Sequence, residues 1–263
     1  MENRKGARAI KDIPEMVLEG LNRGELSSVN LTEWLAIDQR LLVKHILGVL
    51  KRDFYTDIVL DAIEGLQKPT VNSINRCIGY TLYHLAKENE DKELFELLKQ
   101  CKSDLVRCWA TYFIGYNDSL DIREKLEAIK FFAADSHFGV REICWMAVRA
   151  DIIAHLEESI LILLAWTKDE NEYIRRFATE SIRPRGVWCE HIVVLKEKPE
   201  LGLPLLEALK KDTSKYVKDS VGNWLNDAAK TRPDFVIDLC GRWEQEGANK
   251  DTQYIIKKAL RSI

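Results

Sequence analysis

The sequence predicts an all-α protein, a C-shaped α-solenoid of HEAT-like helical hairpins with a concave face. Apolar residues recur at helical spacing, as in Leu201, Leu205, Leu206 and Leu209. Glycine and proline are sparse, with 13 and 6 in 263 residues, so few breaks interrupt the predicted helices. A short motif also repeats along the chain, and helical hairpins that stack by repetition produce a solenoid.

The repeated motif begins with an Asp, continues to a β-branched residue expected to be buried, and ends with a basic residue. Its clear copies are Asp135–Arg141, Asp169–Arg175, Asp212–Lys218 and Asp251–Lys257; Val106-Arg107 ends a weaker copy and Ile74-Asn75 a doubtful one. We expect each Asp to cap the N-terminus of a helix and each amphipathic segment before it to form the other helix of a hairpin. The default role of Arg107, Arg141 and Arg175 is structural, pairing with the acidic caps of neighbouring hairpins and with helix ends.

The repeat is disturbed at one place. Val106, Val140 and Ile174 are each 34 residues apart, but 43 residues separate Ile174 from Val217, an insertion of about nine. The insertion contains Arg183-Pro-Arg-Gly-Val-Trp188, in which Pro and Gly end a helix sharply and fix a turn. Insertions drift into loops freely, but this composition favours a functional role.

Composition and missing motifs narrow the function. The net charge of -3 argues against a protein whose whole surface is basic, as in histone-like nucleic-acid binders. It does not exclude a local basic surface. The six scattered cysteines indicate reduced thiols, and neither a leader nor a membrane span is expected, since the longest apolar run, Ile160–Trp166, is short. No phosphate-binding loop, dinucleotide fingerprint or serine-hydrolase elbow occurs, and the isolated histidines predict no metal site. Trp34, Trp109, Trp166, Trp224 and Trp243 lie in helical patterns and are expected in the core.

The candidate site lies on the helices of the two central motifs. Glu142 falls at the helical position that Arg176 occupies in the next copy, and Glu180 lies on the same face as Arg176 and Arg183. Two carboxylates would then face one groove, rimmed by these arginines and Arg185, with Trp188 beside them. A salt-bridged, solvated face explains the same pattern equally well from spacing alone.

The longer motifs resemble a known family. Asp135–Glu142, Arg175–Trp188 and Asp212–Asp227 with Lys230 are similar to the AlkC group of bacterial DNA alkylation repair glycosylases, a sister group of AlkD. The resemblance covers most of the chain, is strongest from about 130 to 260 and is weak before about 70. It implies hydrolysis of the N-glycosidic bond of cationic lesions in duplex DNA, such as 3-methyladenine, 3-methylcytosine and 1-methyladenine, without a pocket for a flipped base. Some members carry a C-terminal immunoglobulin-like domain, and we expect residues 1–263 to be a single HEAT-like domain without it.

By that resemblance Glu142 and Glu180 are the catalytic carboxylates and Trp188 contacts the lesion nucleotide. The basic residues predicted to contact DNA are Arg141, Arg175, Arg176, Arg183, Arg185, Lys215 and Lys218. The expected partner is double-stranded DNA with alkylated bases, bound by a monomer in the bacterial cytosol, associated with the nucleoid when on DNA, without cofactor, metal or membrane. The alternatives are a non-catalytic HEAT scaffold that binds DNA structures or a protein, and, less supported, a lysine-dependent lyase.

Overall fold

Helices make up all the regular secondary structure of residues 4–263, the part of the chain that the computed structural model describes, and these residues contain no strand. The all-α helical repeat fold is therefore confirmed. None of these helices is both long and apolar enough to span a bilayer. The chain divides into two compact units, with Asp135–Ala147 grouped with the residues up to Ser119 and the remainder in the second unit.

Within residues 4–263, the first unit holds seven complete α-helices. They are α1 Glu15–Asn22, α2 Leu31–Ala36, α3 Gln39–Val49, α4 Thr56–Glu64, α5 Val71–Glu88, α6 Leu94–Lys99 and α7 Asp104–Gly115. Short 3₁₀ turns cover Ile10–Asp12 and Asp53–Tyr55. The first unit also contains the start of α9, up to Ala147. Within it α5 packs against α4 and α7, and α6 packs against α7.

The second unit holds the remaining helices. They are α8 Ile122–Ala133, the rest of α9 Phe138–Ala154, α10 Leu156–Trp166, α11 Glu172–Glu180, α12 Val193–Glu197, α13 Leu203–Leu209, α14 Lys215–Ala229, α15 Pro233–Gln245 and α16 Lys250–Ala259. One 3₁₀ turn, Pro199–Gly202, leads into α13. The helices that carry the motif stack in chain order, α11 on α14 and α14 on α16.

The core contains the residues that the motif predicts. The β-branched positions Val106, Val140, Ile174, Val217 and Ile256 are all buried. The five tryptophans expected in the core are confirmed there, and those of α7, α14 and α15 are among the largest fully buried side chains. Each large apolar side chain removed from water contributes about 1.5–3 kcal/mol, so these positions fix how successive helices stack.

The basic residues of the motif link successive repeats. Arg107 bonds Asp135 at 2.7 Å, Arg175 bonds Asp212 at 2.6 Å and Lys218 bonds Asp251 at 2.6 Å. Arg107, Arg141 and Arg175 also bind the residues that precede their own helices. Nη1 of each arginine donates to two backbone carbonyls there. The predicted structural role is confirmed for Arg107 and Arg175.

The prediction that the motif aspartates cap the helices is wrong for Asp169, Asp212 and Asp251. Asn171 caps α11 and Ser214 caps α14, each two residues after the motif Asp. Asn249 caps α16, with Asp251 already inside the helix. Asp169 and Asp212 instead accept the backbone N–H of the cap residue, which leaves carboxylate oxygen for the base of the preceding repeat.

Candidate active site

Glu142 lies in the first unit, one turn into α9. Its side chain is half-buried, and Oε2 accepts a hydrogen bond of 3.1 Å from Nε1 of the buried Trp145. The start of the helix is fixed by His137, whose Nδ1 accepts the N–H of Gly139 at 3.1 Å. Gly139 has no alternative, because a Cβ there would lie 2.8 Å from Nε1 of Trp34. Glu142 is thus held on an anchored helix and is only half-buried.

Glu180 lies in the second unit, at the end of α11, and only 4% of it is exposed. Its Oε1 accepts from Nη1 of Arg183 at 2.9 Å, and its Oε2 accepts from Oγ of Ser220 at 2.7 Å. Nη2 of Arg176 lies 3.5 Å from the same Oε2. Burial opposes ionisation of Glu180, but the charges of Arg176 and Arg183 outweigh it and lower the pKa of the carboxyl.

Arg183 is shared between two carboxylates. It bonds Glu180 on one side, and its Nε and Nη2 reach Oδ2 of Asp227 at 2.9 and 2.7 Å on the other. Asp227 is itself 3% exposed and also pairs with Lys230 at 3.3 Å. Asp227 ends the motif Asp212–Asp227, from which the sequence predicts no role for it. It completes a buried ion cluster that we define as Arg176, Glu180, Arg183 and Asp227.

Arg176 forms the edge of the ion cluster. Its guanidinium lies 4.3 Å from the centre of the Tyr216 ring on α14. Tyr216 in turn meets Tyr173 edge to face at 5.8 Å. A guanidinium over an aromatic face is held by cation–π attraction, worth about 0.5–2 kcal/mol, in addition to its bond to Glu180.

The insertion after α11 is held by an arginine that sequence reasoning missed. Arg149 is 3% exposed and donates to three carbonyls, those of Ser181 at 2.6 Å, Arg183 at 2.8 Å and Glu190 at 3.1 Å. Burial lowers the pKa of Arg149. Glycine is required at 186, since a Cβ there would lie 2.2 Å from Sγ of Cys189. No sequence pattern marks Arg149, because its partners lie 32 to 41 residues away.

Trp188 projects from this insertion. It is 82% exposed, and its backbone adopts φ +69°, a left-handed conformation that is rare for a bulky residue. An exposed indole on strained backbone costs free energy in the unbound protein, a pattern that occurs at functional sites.

The other predicted DNA contacts differ in their surroundings. Arg141 is buried, Arg175 and Lys218 take part in the repeat links, and Nε of Arg185 donates to the carbonyl of Asp227 at 3.3 Å. Lys215 is the most exposed of these and pairs with Asp219 at 2.6 Å. Their contact with DNA stays a prediction, as does a groove shared by Glu142 and Glu180. Among residues 4–263 no group of three or more His, Cys, Asp or Glu could hold a metal ion.

Comparisons with known proteins agree with this architecture. Residues 140–263 match the family described as DNA alkylation repair enzyme. The structure superposes with TM-score 0.69 on Pseudomonas fluorescens alkylpurine DNA glycosylase AlkC, at 23% identity over 98% of this chain and 65% of that one. It superposes with TM-score 0.62 on AlkD2 from Streptococcus mutans, at 25% identity over 80% of this chain and 99% of that one. The resemblance to AlkC and AlkD proteins is confirmed.

A further protein is similar to this chain over more residues than the family match covers. The uncharacterized protein YhaZ of Bacillus subtilis is 36% identical over 213 residues, which is 80% of this chain and 58% of YhaZ. The chain therefore spans somewhat more than half of that relative's length, and about two thirds of the AlkC chain. Glu142, Glu180, Trp188 and Asp227 all lie within the region that matches the family.

Proposed function

We propose that the protein is a monofunctional DNA glycosylase that removes cationic N-alkylated bases from duplex DNA. The observation that carries this proposal is Glu142, a half-buried carboxylate hydrogen-bonded to Trp145 on an anchored helix. Its substrates would be 3-methyladenine and, in the wider set, 3-methylcytosine and 1-methyladenine. It would act as a monomer in the bacterial cytosol, without a cofactor.

The reaction suits a carboxylate. The C1′–N bond breaks with its electron pair going to the base, so a cationic base leaves as a neutral molecule and needs no acid catalyst. The sugar develops oxocarbenium charge, as in glycoside hydrolysis, and a nearby carboxylate stabilises that charge. Water then bonds to C1′ and loses a proton, for which the same carboxylate is the acceptor. In this proposal Glu142 does both.

Glu180 and Trp188 would support the reaction in different ways. The pKa of Glu180 is lowered, so it stays ionised at neutral pH and holds Arg176 and Arg183 beside the insertion that carries Trp188. The exposed Trp188 ring can lie against a cationic nucleotide, which gives about 0.5–2 kcal/mol of cation–π attraction and favours charged lesions over neutral ones.

The known neighbours support a DNA substrate. The AlkC structure that this chain resembles is bound to DNA containing an abasic site analog, which is what remains after a base has been released. The family match carries the description of a DNA alkylation repair enzyme. We take the same class of substrate for this chain.

A base-release assay tests the proposal. Wild-type protein should release 3-methyladenine from a methylated duplex, and Glu142→Gln should lower the single-turnover rate by about 10²-fold or more, as when a key charge or general base is removed. Glu127→Gln, an equal change at an exposed site on α8, should leave the rate unchanged.

Three outcomes would contradict the proposal. A wild-type rate in Glu142→Gln would remove the assigned carboxylate. A wild type that binds DNA but releases no base from 3-methyladenine, 3-methylcytosine or 1-methyladenine duplexes would instead support the scaffold interpretation. Trapping of a covalent adduct by borohydride would indicate the lysine-dependent lyase.

A further inference from the structure

One face of the first unit is basic and aromatic, and the function proposed above does not use it. Residues 65–87 contain no Asp or Glu, although the chain has 42 in 263 residues, one in about six. Most of this stretch forms α5. Arg76, Tyr80 and His84 follow each other at four-residue intervals on it, and so lie along one side of the helix. With Tyr116, which follows α7, we call these residues the α5 stripe.

The members of the α5 stripe contact one another. Nε of Arg76 donates to the hydroxyl oxygen of Tyr116 at 2.6 Å. The rings of Tyr80 and Tyr116 meet edge to face at 4.8 Å, and Tyr80 lies 4.3 Å from His84. Tyr80 is nevertheless 46% exposed and Arg76 is exposed. The two helices can approach this closely because α5 has Gly79 opposite the backbone of Trp109, where a Cβ would come within 2.8 Å.

The charge of Arg76 is not neutralised by an acid. Among the residues that the structure describes, no carboxylate lies within ion-pair distance of it. This differs from Arg52, Arg107, Arg175 and Arg183, each of which bonds an Asp or Glu. An exposed guanidinium held by a tyrosine and surrounded by aromatic rings offers two things together, a contact for an anion and planar surfaces for stacking.

The α5 stripe lies on the side of the first unit that carries Glu142. Asn72, one turn before Arg76 on the same line of α5, has its Nδ2 3.9 Å from Sδ of Met146. Met146 is one turn after Glu142 on α9. The row of α5 residues that continues into the stripe therefore contacts the row of α9 residues that includes Glu142, and both lie within one compact unit.

We propose that the α5 stripe binds the sugar–phosphate backbone of the DNA duplex whose damaged nucleotide lies at Glu142. Arg76 would bind a phosphate, and Tyr80 would pack against the adjacent sugar or base. Basic side chains interleaved with aromatic side chains are the combination with which proteins hold nucleic acid strands. This inference rests on the proposed function for the position of the lesion.

The experiment measures affinity for undamaged duplex by fluorescence anisotropy over a series of KCl concentrations. Arg76→Ala should raise Kd about tenfold and lower the slope of log Kd against log salt by about one, as expected for the loss of one phosphate contact. Arg123→Ala is the matched control. It makes the same change in net charge at an exposed arginine of α8 that pairs with Glu158, and it should leave both values unchanged.

Tyr80 gives a second, non-ionic readout. Tyr80→Ala should raise Kd at least about fivefold with no change in the salt slope, because stacking releases no counterions. Tyr80→Phe keeps the ring and should bind as wild type does. The control Arg123→Ala should also keep the wild-type rate of base release, since it alters neither the α5 stripe nor Glu142.

The results separate this inference from the proposed function. Weaker binding in Arg76→Ala and Tyr80→Ala supports the stripe even if wild type releases no base, a result that would overturn only the glycosylase proposal. Unchanged Kd and salt slope in both variants, in a wild type that does release base, would overturn the stripe alone. Equal weakening in Arg123→Ala would show a bulk charge effect and also overturn it.

Discussion

The two glutamates assigned to catalysis have very different surroundings. Glu142 in the first unit is half-buried and accepts a hydrogen bond from Trp145, on the side of the unit where the α5 stripe lies. Glu180 in the second unit is almost completely buried, and both its oxygens are bonded, to Arg183 and to Ser220. A carboxylate can accept a proton from water or lie against a sugar only where it can reach them.

This difference separates two roles that the sequence alone left joined. Glu142 has the exposure that a reacting carboxylate needs. Glu180 has the partners of a carboxylate that fixes other groups, because the ion cluster orients Arg176 and Arg183 at the start of the insertion that carries Trp188. We therefore expect changes at Glu142 to reduce activity more than stability, and changes at Glu180 to reduce both.

The largest expected effect on stability is at Glu180. Glu180→Gln removes the negative charge between Arg176 and Arg183 and leaves a buried excess of positive charge, which should lower the free energy of unfolding by about 3 kcal/mol. Glu142→Gln should cost less, about 1 kcal/mol, because an amide oxygen can still accept from Trp145. Urea unfolding of both variants at pH 7 measures this, and an equal cost would mean that the two sites do not differ as proposed.

The pH dependence of unfolding tests the same contrast. The pKa of Glu180 is lowered in the folded protein, so the stability gained from its ionisation is present above the ordinary carboxyl pKa of about 4.3. That stability is lost as the pH falls from there through the folded pKa. The unfolding free energies of wild type and Glu180→Gln should therefore differ by a constant amount from pH 7 to pH 5 and converge below. A constant difference down to pH 3 would contradict a lowered pKa for Glu180.

Arg149 should have the next largest effect, confined to the insertion. Arg149→Met leaves the carbonyls of Ser181, Arg183 and Glu190 without their donor and should cost about 2 kcal/mol. It should also speed native-state tryptic cleavage after Arg185, the peptide bond that precedes Gly186. Arg149→Lys keeps the charge and part of the hydrogen bonding, so its stability and its cleavage rate should lie between those of wild type and Arg149→Met. Unchanged cleavage in Arg149→Met would show that other contacts hold the insertion.

Local periodicity made part of this predictable. The buried β-branched positions, the core tryptophans and the pairing of Glu180 with Arg183 three residues later follow from helical spacing. The partners Ser220 and Asp227 come from α14, more than 35 residues away, and Arg149 reaches its carbonyls from α9. Such contacts depend on how helices stack and leave no mark in local sequence.

The capping prediction failed for a related reason. Asp is a common N-cap, so the motif aspartates were expected there from propensity alone. In the structure Asp212 bonds Arg175 of the preceding repeat, and Ser214 caps α14 instead. A carboxylate that joins two repeats cannot be distinguished from a cap within a single copy of the motif. The pairing becomes visible only when neighbouring copies are placed side by side.

The smallest expected effect on stability is at Trp188, where it can be separated from function. Its φ of +69° is strained for any residue with a Cβ, and its side chain is mostly exposed, so little packing is lost on truncation. Trp188→Gly relieves the strain and Trp188→Ala does not, so thermal unfolding should show the glycine variant more stable by about 0.5–1 kcal/mol. Both variants lack the indole, and both should lose preference for 3-methyladenine duplex over undamaged duplex to the same degree. If the preference for damaged duplex fell only in the less stable of the two variants, the role of Trp188 would be to maintain the structure of the insertion. The contrast between the two units would then rest on the glutamates alone.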